Sequence, residues 1–180
     1  MMTTNASFTG WGCCFDTVTT GGNWTPEEVA HDINYLEMLA AFLALKSFEG
    51  TISGKHIKLM VNNTTAMTMI NQIGTCHSGE NNQLARQIWE WGISHNVWPM
   101  VVHIPGKENT EAGKESRLSG RETVWTLQPS LFKAASDKLG VIRGIDLFAS
   151  RLYNYHLKPY VAYKPDLDAH AINAFHVLCC

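Results

Sequence analysis

The stretch Lys55-His-Ile-Lys-Leu-Met-Val-Asn-Asn-Thr-Thr-Ala66 decides the fold. Its first seven residues alternate and are rich enough in β-formers to predict a strand over 55–61. Asn62 stands at the C-terminal end of that strand, and Thr64 to Ile70 then reads as a short helix. A strand that feeds directly into a helix is half of an α/β unit, so the flanking segments set the size of the sheet.

Upstream, Ile33 to Phe48 places Leu36, Leu39, Ala40, Leu43 and Ala44 at helical spacing, with Gly50 just past its end. Before it, Ala6 to Val18 is rich in aromatic residues and β-formers and stops at Thr19-Thr-Gly-Gly22, which predicts a strand turning into a hairpin. Thr25-Pro-Glu-Glu28 adds a capping-type start of a short turn. Downstream, Asn81 to Ser94 predicts a helix with Leu84, Ile88, Trp91 and Ile93 on or near one face, and Trp98 to Ile104 a strand stopped by Pro105-Gly106. Strand, helix, strand, helix, helix and strand in that order predict an α/β fold, a mixed central sheet flanked by helices. Thr110 to Leu118 reads as one more helix. The main domain is therefore expected over 1–120. The segment 121–180 reads as an irregular C-terminal extension, with a helix near 128–139, a short strand over 145–149 and an aromatic stretch broken by Pro159 and Pro165.

With 180 residues and 45% hydrophobic content, the chain can bury one substantial core but hardly a second. A charged leader followed by an apolar run is absent, and no apolar stretch approaches a membrane span, so an intracellular location, cytoplasmic or nuclear, is expected with no membrane partner. The five cysteines, Cys13, Cys14, Cys76, Cys179 and Cys180, suit neither a disulfide framework nor a spaced zinc site. Charge is uneven along the chain. Residues 1–54 hold six acids against the single base Lys46, whereas 103–143 hold seven bases against five acids. This mild basic bias falls short of the dense basic face of a dedicated nucleic-acid binder. Trp11, Trp89, Trp91 and Trp98 are read as core residues rather than base-stacking platforms.

Four separated motifs carry a chemical signal: Asn5-Ala-Ser-Phe-Thr-Gly-Trp-Gly12, Tyr35-Leu-Glu37, Val61-Asn-Asn-Thr-Thr-Ala66 and His103-Ile-Pro-Gly-Lys-Glu-Asn-Thr-Glu-Ala-Gly113. In this order they resemble the ribonuclease H domain of retroelement reverse transcriptases, most closely that of DIRS-type tyrosine-recombinase retrotransposons. The resemblance runs through residues 4 to 120. It implies a ribonuclease H-like fold whose acids gather two Mg²⁺ ions to hydrolyse RNA in RNA–DNA hybrids. The family places Asp at the positions held here by Asn5, Asn62 and Gly113, and only Glu37 keeps the family's acidic ligand. The segments Ile145 to Tyr153, Tyr160 to Asp166 and Asn173 to Phe175 are similar to the region that follows ribonuclease H in these polyproteins. That region looks distantly like phage adenine methylases, but no Pro-Pro-aromatic motif is present.

Magnesium needs hard, anionic oxygen ligands, and an Asn carbonyl is neutral while Gly113 supplies no side chain. Two-metal hydrolysis is therefore expected to be lost, with Glu37 at most a weak metal ligand. Asp16, Glu111 and Glu115 are near in sequence, but a residue two positions from Gly113 on a helix points to another face. Asn63, Thr64, His103, Lys107 and Asn109 are the candidate nucleic-acid contacts, toward RNA–DNA hybrid or other duplex. The competing readings are a protein-interaction scaffold and a transposon fragment without a role.

Overall fold

The computed structural model describes residues 1–74 and 78–118. The expected helix near 128–139, the strand over 145–149, the aromatic stretch after it, and Cys76, Cys179 and Cys180 lie outside the described residues. Within them run β1 (Met2–Ala6), β2 (Gly10–Phe15), β3 (Val18–Asn23), a 3-10 turn (Glu28–Ala30), α1 (Ile33–Ser47), α2 (Glu49–Ile52), β4 (His56–Val61), α3 (Thr64–Asn71), α4 (Gly79–Ser94), β5 (Trp98–His103) and α5 (Thr110–Leu118).

The strands form one mixed sheet in the order β3-β2-β1-β4-β5. β1, β2 and β3 are antiparallel neighbours, and β1, β4 and β5 run parallel. Helices α1, α3 and α4 cover one face, and α5 covers β1, β2 and β3 on the other. The α/β class and its layers match the sequence reading.

Helix α1 is the core of the domain. Every residue from Leu36 to Leu45 is buried, which an amphipathic helix would not show. Met38, Ala41, Phe42 and Leu45 fill what would otherwise be a polar face, so the helix is wedged between the sheet and its helical neighbours. Asp32 starts it by accepting from the backbone N–H groups of Asn34 and Tyr35 at 2.8 and 3.2 Å.

The N-terminal reading needs correction. Ala6 ends a strand instead of beginning one, and Thr19 to Gly22 lies inside β3 instead of forming a turn. The chain turns instead at Ser7-Phe8-Thr9, where the Ser7 side chain accepts from the N–H of Thr9 and of Gly10, and at Asp16-Thr17 between β2 and β3, where Asp16 takes a positive φ of 55°. Gly21 is kept for space, because a Cβ there would lie 2.5 Å from the Trp11 carbonyl oxygen. Trp98 is also not a core residue. It is 40% exposed and stacks on His56 across the β4–β5 ladder.

Candidate functional site

Three of the four sequence-selected positions, Asn5, Asn62 and Glu37, sit where the parallel strands end, and each is placed there by an element described above. Asn5 lies on β1 opposite Gly12 of β2, and the register Thr4 to Val61 sets Asn5 level with Asn62 just beyond β4. Glu37, in the second turn of α1, reaches up to the same end of β1, where its carboxylate accepts the Ala6 N–H. Gly113 lies one turn inside α5, over the opposite face of β1.

Ser116 ties these parts together. It follows Gly113 by three residues, hence on the same face of α5, and this spacing was the signal that sequence reasoning missed. Its hydroxyl donates to the Gly113 carbonyl at 3.1 Å and accepts from Asn5 Nδ2 at 2.7 Å. Asn5 Nδ2 gives a second bond to the Ala6 carbonyl at 3.1 Å. The position is thus wired for an amide. An aspartate in this rotamer would set a carboxylate oxygen against a carbonyl oxygen, so Asn5→Asp is expected to destabilise by about 1–3 kcal/mol, read as a lower melting temperature.

Burial pushes the Glu37 carboxyl up to about 7, with the Ala6 N–H opposing in part. Only 3% of the residue is exposed, and its Oε2 has no hydrogen-bond partner. Asn62 Oδ1 is likewise buried and unpartnered. Two acceptor oxygens without donors, one able to ionise, are unusual inside a protein and mark the spot as a polar pocket.

Gly113 leaves open space. A Cβ there would meet nothing nearer than Arg117 Nη1 at 4.0 Å. A guanidinium therefore lies beside the position from which a carboxylate would project.

The surrounding candidates divide by use. Asn63 caps α3 by accepting from the Ala66 N–H at 2.9 Å and donates to Asn34 at 3.0 Å. Asn109 is buried and donates to the Thr4 carbonyl at 2.8 Å, fixing the start of α5 to β1. Both side chains hold the rim together. Thr64, His103 and Lys107 are exposed at the ends of α3, β5 and the following loop. Among the described residues, no three acids, histidines or cysteines converge closely enough to hold a metal ion, and no helix is long and apolar enough to cross a membrane.

A sheet of order 3-2-1-4-5 with its first three strands antiparallel, one buried central helix and a last helix on the far face is a specific topology. The structure is similar to that of RNase H1 from the halophilic archaeon Halobacterium salinarum NRC-1, with a TM-score of 0.53. The fold is ribonuclease H-like. At 12% identity the likeness covers 68% of this chain and 96% of that one, so nearly the whole archaeal fold is represented here. No protein-family model and no curated protein matches the sequence. Asn5 lies on β1, Glu37 on α1, Asn62 just beyond β4 and Gly113 on α5.

Proposed function

We propose that this chain is a nucleic-acid-binding ribonuclease H-like domain of retroelement origin that no longer performs two-metal hydrolysis. The single observation that carries this reading is the wiring of Asn5. Its amide donates to two acceptors, a role no carboxylate can fill, and so the residue is a satisfied neutral group rather than a metal ligand.

The charge balance agrees. A pair of divalent ions needs several carboxylates, whereas Glu37 alone offers a negative charge here, and burial holds its proton until about neutral pH. Arg117 beside Gly113 adds positive charge where a metal site requires the opposite. The residues present therefore do not fit the two-ion arrangement of the family. They fit a phosphate better: neutral amides at Asn5 and Asn62, with Arg117, Lys107 and His103 exposed.

Two assays test this. Binding of an RNA–DNA hybrid, followed by fluorescence anisotropy, should weaken about tenfold or more between roughly 50 and 200 mM salt, because phosphate contacts release counterions. Incubation of the same hybrid with Mg²⁺ or Mn²⁺ should leave it intact. Robust cleavage that Glu37→Gln abolishes would overturn the loss of catalysis, and binding that ignores salt would favour a protein-interaction scaffold. Installing Asn5→Asp, Asn62→Asp and Gly113→Asp together should create a protein whose melting temperature rises with added Mg²⁺, while the parent's does not.

A further inference from the structure

The turn between β1 and β2 spends many hydrogen bonds on holding an apolar ring in water. Phe8 at its tip is 64% exposed. Both of its neighbours are fixed: Ser7 N–H donates to the Gly10 carbonyl at 2.9 Å, and Ser7 Oγ lies 2.9 Å from Thr9 Oγ1. Trp24 Nε1 donates to the Ser7 carbonyl at 2.7 Å, which anchors the turn from the β3 side. From the other side the turn is bolted to α5, since Ser7 Oγ donates to the Ser116 carbonyl at 2.6 Å. A single exposed phenylalanine on a loose loop needs no explanation, but one on a braced turn has been denied the freedom to fold back onto the core.

The bolt also fixes what stands beside it. The Ser116 carbonyl belongs to the peptide that leads into Arg117, so the tip of the turn and the last turn of α5 form one corner. Arg117 is exposed, and its Nη1 lies over Gly113, next to the Asn5–Ser116 pair. Lys114, one turn earlier, is engaged by Glu111 at 2.8 Å, whereas no described acid forms an ion pair with Arg117. A planar cation on α5 and an exposed aromatic ring on the turn bonded to the preceding carbonyl offer the two kinds of contact a nucleotide takes, phosphate and base.

We propose that the Phe8–Arg117 corner is a nucleic-acid contact in which Arg117 binds a backbone phosphate and Phe8 stacks on an adjacent unpaired base. The inference rests on the nucleic-acid-binding reading above and adds to it the preferred ligand: a strand with an unstacked nucleotide, such as the single-stranded overhang of a hybrid. Arg117 takes over charge neutralisation beside the position where the family's acid would hold a metal.

The test compares the full chain with Phe8→Ala, Phe8→Trp, Arg117→Ala and Arg117→Lys. The ligand is an RNA–DNA hybrid carrying a single-stranded overhang with 2-aminopurine, titrated at several salt concentrations. Phe8→Ala should weaken binding about tenfold without changing the salt slope, and Phe8→Trp should restore affinity and base-stacking quenching. Arg117→Ala should reduce the slope by about one counterion, and Arg117→Lys should restore it. Salt-dependent binding by the parent with unaltered binding by Phe8→Ala and Arg117→Ala overturns the corner and leaves the domain's proposed function standing. No binding by the parent overturns both. A marked fall in the melting temperature of Phe8→Ala would also overturn the proposal, since it would make Phe8 a packing residue.

Discussion

Gly12→Val is expected to detach α5 from the sheet and to lower the melting temperature by roughly 10 °C or more. The reason is distance. A Cβ at Gly12 would collide with the Ala112 carbonyl oxygen and lie 2.5 Å from Ser116 N and 2.6 Å from Glu115 Cβ. Two of these are backbone atoms, so no rotamer change relieves the contact and the whole helix must retreat. Overpacking usually costs about 1–3 kcal/mol, and here the retreat also breaks the Asn5–Ser116 and Ser7–Ser116 bonds that join the site to α5. Gly113→Ala is the matched control on the same helix. Its new methyl group meets nothing nearer than 4.0 Å, so relief of glycine's backbone entropy should stabilise by about 0.5–1 kcal/mol. Thermal melting of both variants, with amide exchange of α5, gives opposite signs if the helix is held by close approach. Equal effects would mean that α5 is placed by something other than Gly12.

The same contact explains what the sequence could and could not reveal. The strand at 55–61 and the strand from Trp98 were legible because each buries alternate residues, and periodic burial leaves a periodic pattern, while the helix beginning at Ile33 was legible as an apolar run buried all round. The β1–β2–β3 meander was misread because its glycines answer to α5 and Trp11 across space, not to local turns. Likewise, the clamp from Asn109 to Thr4 depends on a long-range neighbour that spacing alone does not encode, whereas the N-cap role of Asn63 is local, toward Ala66 three residues on. Ser116 was within reach: a polar residue three positions from a suspected ligand on a helix shares its face. What hid it was the assumption that only acids matter at such a site.

Glu37→Gln is expected to stabilise the domain at neutral and alkaline pH and to leave it unchanged at acid pH. The folded carboxyl titrates at about 7, raised from an ordinary value of 4.5 by burial, while the Ala6 N–H only partly compensates. Between those two values the folded chain holds a proton that the unfolded chain has released, so unfolding releases protons and stability falls as pH rises. Below 4.5 both states are protonated and the residue costs nothing by this route; above about 7 both are ionised and the full penalty stands. A raised value of this size corresponds to about 3 kcal/mol, which in a chain of 180 residues is a gain of roughly 6–12 °C for the neutral amide at pH 8. Gln retains an acceptor for the Ala6 N–H, so the variant isolates the charge. Melting curves of parent and variant from pH 4 to 9 should converge at the acid end and separate through the window from 4.5 to 7. A Glu37→Gln curve that stays parallel to the parent's throughout would show that the carboxyl is not held protonated by burial. The direction also bears on the neighbouring substitutions. A cluster of four carboxylates without counter-ions would repeat the Glu37 penalty several times and add like-charge repulsion, so Asn at positions 5 and 62 lets the fold stand without a metal. Glu37 is then the last acid whose stability cost remains to be removed, and the pH profile measures that cost directly.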